Sequence, residues 1–418
     1  MSFLTSIAFW YWAVHILAPA NTVAVLAKGR PMGNNSDLYP RWLGTRELLL
    51  HRRDPYSPQV TREIQIGFYG RPLDPNNPSD PTATESFVYP LYVAFLLAPA
   101  VMVPFHTAVV VLRWLIVASI GVSAPLWMYA VGFRPKWPIT VSAMLLATSS
   151  SACAAEYFQQ NLAALALFFV ACAAAATVRN WQLLGGFLLA LATVKPDTTG
   201  LLILWFLLWA AAQWGQRRRL IWGFTGTMSA LLIASWAISP HWVGQFLAAV
   251  REYPNYGTDP SMMQVMLQSR LSWPVEAALI ISLVIVCWRW KRRAAGSEPF
   301  GWALAWVATV TLVVIPKLAP YNELLLIPAL VVLVARYSSI KALGIVPRAS
   351  AYAAAAYQSW QWAAAMVVTV CSLLVSPARL QAITHLPDYA SLALAPVTLV
   401  AVISTSLAAE KKSYSTKP

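Results

Sequence analysis

Few ionisable residues lie within or beside the apolar stretches of this chain, and they gather in a handful of places. Lys195-Pro196-Asp197 interrupts one stretch, Lys317 and then Tyr321-Asn322-Glu323 sit between two others, Arg113 lies inside one, and Glu156 shares a short turn with Gln159, Gln160 and Asn161. A charge at the centre of a membrane helix costs about 2.5–3.5 kcal/mol on insertion scales, so each is a functional candidate. Lys195, Lys317, Arg46, Arg53, Arg251 and Arg270 could each neutralise a phosphate; each could equally reach back to lipid headgroups. Asp37, in Ser36-Asp37-Leu38-Tyr39-Pro40-Arg41-Trp42, falls nine residues past the first apolar run. A carboxylate at a membrane boundary can take the proton of an attacking hydroxyl. The same residue before a helix can instead favour its N-terminus by capping or through the dipole.

Other chemistries lack their residues. There is no phosphate-binding G-x-x-x-x-G-K-[ST] loop, no G-x-G-x-x-G or G-x-S-x-G element, and no D-x-D pair to hold a metal-bound nucleotide sugar. His15, His51, His106, His241 and His385 are dispersed, and Cys153, Cys172, Cys287 and Cys371 sit singly in apolar runs. Neither a metal nor another cofactor is expected.

The elements that must position these residues follow from composition. Of 418 residues 58% are apolar and 11% charged, with 20 Trp and a mean hydropathy of +0.57. A soluble domain carries about 25% charged residues, so the solvent here is lipid. Apolar runs at 4–27, 106–131, 138–154, 159–178, 181–194, 200–214, 220–238, 272–290, 299–315, 322–335, 352–375 and 390–408 predict a single all-α membrane domain, 1–418, of about 12 spans. The run 87–105 carries Pro90, Pro99 and Pro104. Each proline removes a backbone bond, so a re-entrant or interfacial segment is expected there.

Charge sets the expected orientation. With the N-terminus cytoplasmic, the cytoplasmic loops hold sixteen Lys and Arg against Glu298 and Glu410, and the other side is balanced. The net charge of +14 is therefore the positive-inside bias of a plasma-membrane protein with both termini cytoplasmic, not a nucleic-acid surface. Two long loops, 28–86 and 239–271, then face outward. In the first, Pro40 starts a helix to about Arg53 with Trp42, Leu43, Leu49 and Leu50 on one side and Arg46 and Arg53 beside them, a pattern that suits a membrane surface. A second helix follows, with Ser57 as cap, Pro58 first and Gly70 as stop.

This layout resembles a known group: one span, an Asp in a long outer loop, an amphipathic helix, Asp54-Pro55-Tyr56, then Phe87-Val88-Tyr89-Pro90-Leu91. It is similar to the GT-C superfamily of integral-membrane glycosyltransferases, and within it to the polyprenyl-phosphate-mannose-dependent mannosyltransferases of glycosyltransferase family 87. Asn161 at a span start, Lys195-Pro196 at a span break and Pro320-Tyr321-Asn322 also fit that group. The resemblance implies a sugar donor on a polyprenyl phosphate, a lipid, glycan or protein acceptor, Asp37 as catalytic base, and an active site on the non-cytoplasmic side. Tyr89, Asn161, Tyr321 and Asn322 of these motifs, with the cations Arg46, Lys195, Arg251, Arg270 and Lys317 that charge and position offer, make up the expected substrate-binding set. Asp197 departs from the Gln expected after Lys195-Pro196.

A second reading stays open from the span count alone: a secondary transporter or lipid flippase. Transporters place ionisable groups at the midplane between repeated halves. Here no repeat is visible, and the charged candidates fall on one side.

Overall fold

Helix starts and stops are written locally, and they decide where the polar residues end up. The computed structural model describes residues 1–27, 36–74, 77, 80, 85–252, 260–315, 319–341, 344–372, 374, 384 and 391–415. Among them there is no strand. Helix α1 (Ser2–Trp12) runs through a π-turn at Ala13–Leu17 into α2 (Ala18–Ala27). Two helices of the first long loop follow, α3 (Leu38–His51) and α4 (Pro58–Tyr69), and then the short α5 (Val93–Val101). The body comprises α6 (Phe105–Ala130), α7 (Trp137–Thr148), α8 (Ser151–Gln159), α9 (Ala163–Val178), α10 (Gln182–Ala192), α11 (Pro196–Ala211) and α12 (Trp214–Ile238). The chain continues through α13 (Trp242–Glu252), α14 (Met262–Trp290), α15 (Glu298–Val314), a 3-10 segment Pro320–Leu325, α16 (Leu326–Ala335), α17 (Tyr337–Lys341), α18 (Ile345–Ser372) and α19 (Ser391–Ser415).

Among the described residues, four helices are long and apolar enough to cross a membrane: Ser2–Ala20, Phe105–Ala130, Trp214–Ile238 and Arg270–Trp290. The pair α7 and α8, bent by 54° at its break, makes a fifth if counted as one span. A full crossing needs about 20 residues, and α9, α10, α11, α15 and α16 are shorter than that. Length and apolarity thus bear out an all-helical membrane protein; of the about 12 spans expected, four to five are helices of that length and apolarity among the described residues. Breaks at Ser149-Ser150, Gln160–Leu162, Thr193–Lys195 and Pro320–Leu325 fall within or at the ends of the apolar runs and bound these short helices.

Small residues let several helices meet closely. Gly186 of α10 faces the Leu220 carbonyl of α12, and Gly223 of α12 faces the Leu183 carbonyl of α10; a Cβ at either would overlap backbone. Backbone approach of this kind is how helices associate where no hydrophobic drive separates lipid from protein. In the first turn of α12, buried Arg217 donates to the carbonyls of Trp209 (2.9 Å), Lys291 (2.9 Å) and Arg293 (2.9 Å). One cation so satisfies orphan carbonyls at the C-terminal ends of α11 and α14, where helix dipoles favour positive charge.

Of the first long loop, α3 packs on α5 and α4 packs on α3. Ser57 Oγ accepts from Val60 N–H, Pro58 opens α4, and Gly70 closes it at φ 76°, as its sequence predicts. Val60, Ile64 and Phe68 recur at i, i+4 and i+8 and are buried. Val60 and Ile64 pack on Phe87. Helix α3 begins two residues before Pro40. The expected membrane-surface stripe is turned to protein instead: Trp42 is buried, and the arginines bind protein groups. Arg46 Nη1 donates to the Val101 carbonyl (3.0 Å) and Trp42 Nε1 to the Ala100 carbonyl (3.0 Å). Helix α5 stops at Val101, and Pro104, four residues past Ala100, has no N–H to offer that carbonyl. Arg53 pairs with Glu47 (2.8 Å) and Glu63 (2.7 Å). The segment 87–105 therefore does not cross as one helix: Val93–Val101 is nine residues, flanked by irregular chain.

Candidate active site

The breaks in the helices converge on Asp37. The turn between α8 and α9 holds the segment that carries it. Asp37 N–H donates to the Gln159 carbonyl (2.8 Å), and Ser36 Oγ donates to Gln160 Oε1 (2.6 Å). Gln160 itself takes the left-handed conformation at φ 53°, and its amide donates back to the Tyr157 carbonyl. Asn161 then does two jobs. Its Oδ1 accepts from Ala163 N–H (3.1 Å), satisfying a free donor at the start of α9, and its Nδ2 donates to Asp37 Oδ2 (2.7 Å).

Asp37 occupies the cap position of α3 but makes no side-chain capping hydrogen bond. Its carboxylate is turned to Asn161 instead, and it is half-buried. Of the two roles its position allows, the structure leaves capping unused.

Three segments complete the surroundings. From α3, Arg41 is 1% exposed, its guanidinium carbon 4.2 Å from the centre of the Tyr89 ring. Burial disfavours its charge, but Tyr89, Asp37 and Tyr321 more than offset this and hold its pKa above the ordinary value. Nε and Nη1 of Arg41 have no hydrogen-bond partner among the described residues. From α8, Glu156 is 0% exposed. Its Oε1 accepts from Ala164 N–H (3.2 Å) at the start of α9, and its Oε2 has no partner among the described residues. It lies within Coulombic reach of Asp37, Lys195 and Arg41. At the α10–α11 break, buried Lys195 pairs with Asp197 (3.1 Å), its ammonium 5.8 Å from the Tyr321 ring centre. Thr199 Oγ1 donates to the Ala192 carbonyl (2.8 Å), one of those the break sets free. The 3-10 segment supplies Tyr321 and Asn322, both buried; Thr198 Oγ1 donates to Asn322 Oδ1 (3.4 Å), and Tyr321 packs on Ala163.

Tyr89 is placed by the Asp54-Pro55-Tyr56 turn. Tyr56 N–H donates to Asp54 Oδ1 (2.9 Å) and Tyr56 Oη donates to the Tyr89 carbonyl (2.5 Å). Burial, then Asp54 and Tyr92, push the Tyr56 phenol well above its usual range, so it remains a donor. Gln245 of α13 donates to Asp54 Oδ2 (2.6 Å), tying the second long loop to the first.

Of the residues expected from sequence, Asp37, Tyr89, Asn161, Lys195, Tyr321 and Asn322 are brought together. Arg46 is engaged with α5, Arg251 and Arg270 are exposed on α13 and α14 and take no part in the cluster, and Lys317 lies outside the described residues. Sequence reading missed Arg41 as a site residue and placed Glu156 in a turn, whereas it belongs to the last turns of α8. Among the described residues, no group of three or more His, Cys, Asp or Glu is placed to hold a metal.

Next to this cluster lies an apolar cavity of about 420 Å³ between α7, α16 and α18. Ser150 and Glu323 line it on segments that also carry site residues, and Leu146, Leu330, Tyr352 and Arg348 are among its walls.

A family model for glycosyltransferase family 87 covers residues 87–316, more than half of the chain, including Tyr89, Glu156, Asn161 and Lys195. No curated protein and no solved structure matches significantly.

Proposed function

The chain belongs to glycosyltransferase family 87, and from that premise we propose that it moves a hexose, mannose first among the candidates, from a polyprenyl phosphate to a lipid or glycan acceptor at the outer face of the plasma membrane. Asp37 is the general base in this reading. The observation that supports it best is a carboxylate released from helix capping and fixed by Asn161 at 2.7 Å. A base must be aimed at the hydroxyl whose proton it takes. Asp37 deprotonates the acceptor hydroxyl as its oxygen attacks the anomeric carbon. The bond from that carbon to the phosphate oxygen breaks, and the polyprenyl phosphate leaves with the electron pair.

A leaving phosphate needs its charge balanced by pre-positioned cations. Lys195 supports that role, buried at a helix break beside Tyr321; Lys317 is the second candidate. The polyprenyl part of the donor is supported by the adjoining apolar cavity, which runs along α7 and α16 and offers an isoprenoid chain an oily wall beside the polar cluster. Family membership favours the enzyme over the transporter reading. So does the grouping of the charges around one loop-covered site.

The test is direct. Purified full-length protein in lipid nanodiscs is incubated with polyprenyl-phosphate mannose and total membrane lipids, and release of polyprenyl phosphate is followed. Acceptor-dependent release supports the proposal. No release from this donor, with release from another activated sugar, overturns the donor assignment.

A further inference from the structure

One ion pair of the cluster is built into a helix start. Lys195 is the cap residue of α11, and Asp197 lies in its first turn, after Pro196. The Lys195 carbonyl accepts from Thr198 N–H (3.3 Å), Thr199 N–H (3.1 Å) and Thr199 Oγ1 (3.0 Å). On that turn the lysine ammonium stands 3.1 Å from Asp197 Oδ2. An acid in a first turn ordinarily serves the helix through its dipole or as a cap. Asp197 makes no capping hydrogen bond: Oδ2 is turned to Lys195, and Oδ1 is buried without a partner among the described residues. Its charge therefore acts first on the ammonium.

That charge bears on the proposed transfer, on which the following step rests. The donor is a phosphodiester with one negative charge. When the bond from the anomeric carbon to the phosphate oxygen breaks, the electron pair stays on that oxygen, and the lipid leaves as a phosphomonoester with nearly two charges. A buried lysine alone would hold this product more tightly than the donor and so retain it. With Asp197 on the same ammonium the pair is neutral as a whole. The ammonium still offers N–H donors to a phosphate oxygen, but the additional charge of the product meets Asp197 as well as Lys195.

We infer that Asp197 tunes Lys195 for product release, so that the site grips a singly charged donor and lets go a doubly charged product. Asp197 acts through Lys195 and is a positioning residue, not a catalytic one. Two oxygens that share one ammonium lie at most about 6 Å apart. At that separation and an effective dielectric constant of about 20, one unit of charge changes binding by about 100-fold, and half a unit by about 10-fold.

The test isolates charge by using two lipids without sugar, farnesyl phosphate (a monoester) and farnesyl methyl phosphate (a diester). Their binding to full-length protein in nanodiscs is measured at pH 8. The preference for the monoester should be about 10- to 100-fold greater in Asp197→Asn than in the parent. Asp197→Ser, also neutral, takes its place if the first variant does not fold. An unchanged preference, with both lipids still bound, makes Asp197 structural and overturns the inference. Equal weakening of both lipids also overturns it, because the carboxylate then only aims Lys195. The double variant Lys195→Met/Asp197→Asn tests the assignment beneath: it should bind both lipids at least 10-fold more weakly than Asp197→Asn. Equal binding by these two variants removes Lys195 from the phosphate, and the inference with it, while the transfer reading through Asp37 stands. A parent that binds neither lipid overturns the polyprenyl-phosphate donor and the inference together.

Discussion

Removing the side chain of Asn161 should disable the base while leaving it in the protein. Asn161→Ala deletes the Nδ2 donor to Asp37 (2.7 Å) and the Oδ1 acceptor for Ala163 N–H (3.1 Å). The second loss is a helix cap and costs about 1 kcal/mol of stability. The first is a hydrogen bond to a charged group, worth about 1.5–3 kcal/mol. If that bond aims the carboxylate in the transition state, its loss lowers the rate by about 10- to 150-fold, at one decade per 1.36 kcal/mol. Single-turnover release of polyprenyl phosphate reads the rate, and thermal melting reads the cap. Asn161→Asp separates the two effects. It keeps an acceptor for Ala163 but sets a second carboxylate against Asp37. Like charges at that spacing share a proton and raise the pair's pKa. A base acts unprotonated, so the activity of this variant should appear only at higher pH than in the parent. Transfer within threefold of the parent in Asn161→Ala, with no alkaline shift in Asn161→Asp, would refute the positioning argument.

Three further outcomes are expected. Arg217→Met removes the cation that closes the ends of α11 and α14 and should cost about 1–3 kcal/mol for each carbonyl left buried and unpaired, read as reduced yield and a lower melting temperature; an unchanged melt would show the carbonyls are satisfied without it. Gly44→Ala places a Cβ against the Phe87 ring, and overpacking of this kind costs about 1–3 kcal/mol; because Phe87 also packs on Tyr89, activity should fall with stability, and wild-type behaviour in both would refute the contact. Cysteines introduced at 62 on α4 and at 218 on α12 should label with an impermeant maleimide from outside and only after lysis, respectively; the reverse pattern would invert the orientation and move the active site to the cytoplasm.

How far the chain could be read depended on whether the signal was local. Helix α4 was legible because Ser57, Pro58 and Gly70 act on their own neighbours. Asp37 was legible as a candidate, but its choice between capping and chemistry is made by Asn161, 124 residues away. Arg41 was missed because, in sequence, it looks like Arg46 and Arg53, an arginine on a loop helix. Only the fold lays Tyr89 over it. Glu156 was placed in a turn because the apolar run stops near it, while Ser150, capping Cys153 N–H, restarts the helix and carries it to Gln159. Arg251 and Arg270 share a side of the chain with the site, and sharing a side does not make groups converge. Counting spans meets a related limit. Hydropathy marks apolar runs, and the breaks at Ser149-Ser150 and Lys195-Pro196, which shorten them, are the places where the site is built.

The claim on which the rest depends is that Asp37 takes the acceptor's proton. Asp37→Asn keeps the shape and the hydrogen bond from Asn161 but cannot take a proton at the same atom. The measurement is transfer of mannose from polyprenyl-phosphate mannose by parent and variant in nanodiscs, alongside donor binding. The account predicts a folded variant that binds donor as the parent does and transfers about 10²–10⁴-fold more slowly. Transfer within a few-fold of the parent would contradict it, leaving Asp37 a structural residue and moving the search for the base to Glu156, Asp197 and Glu323.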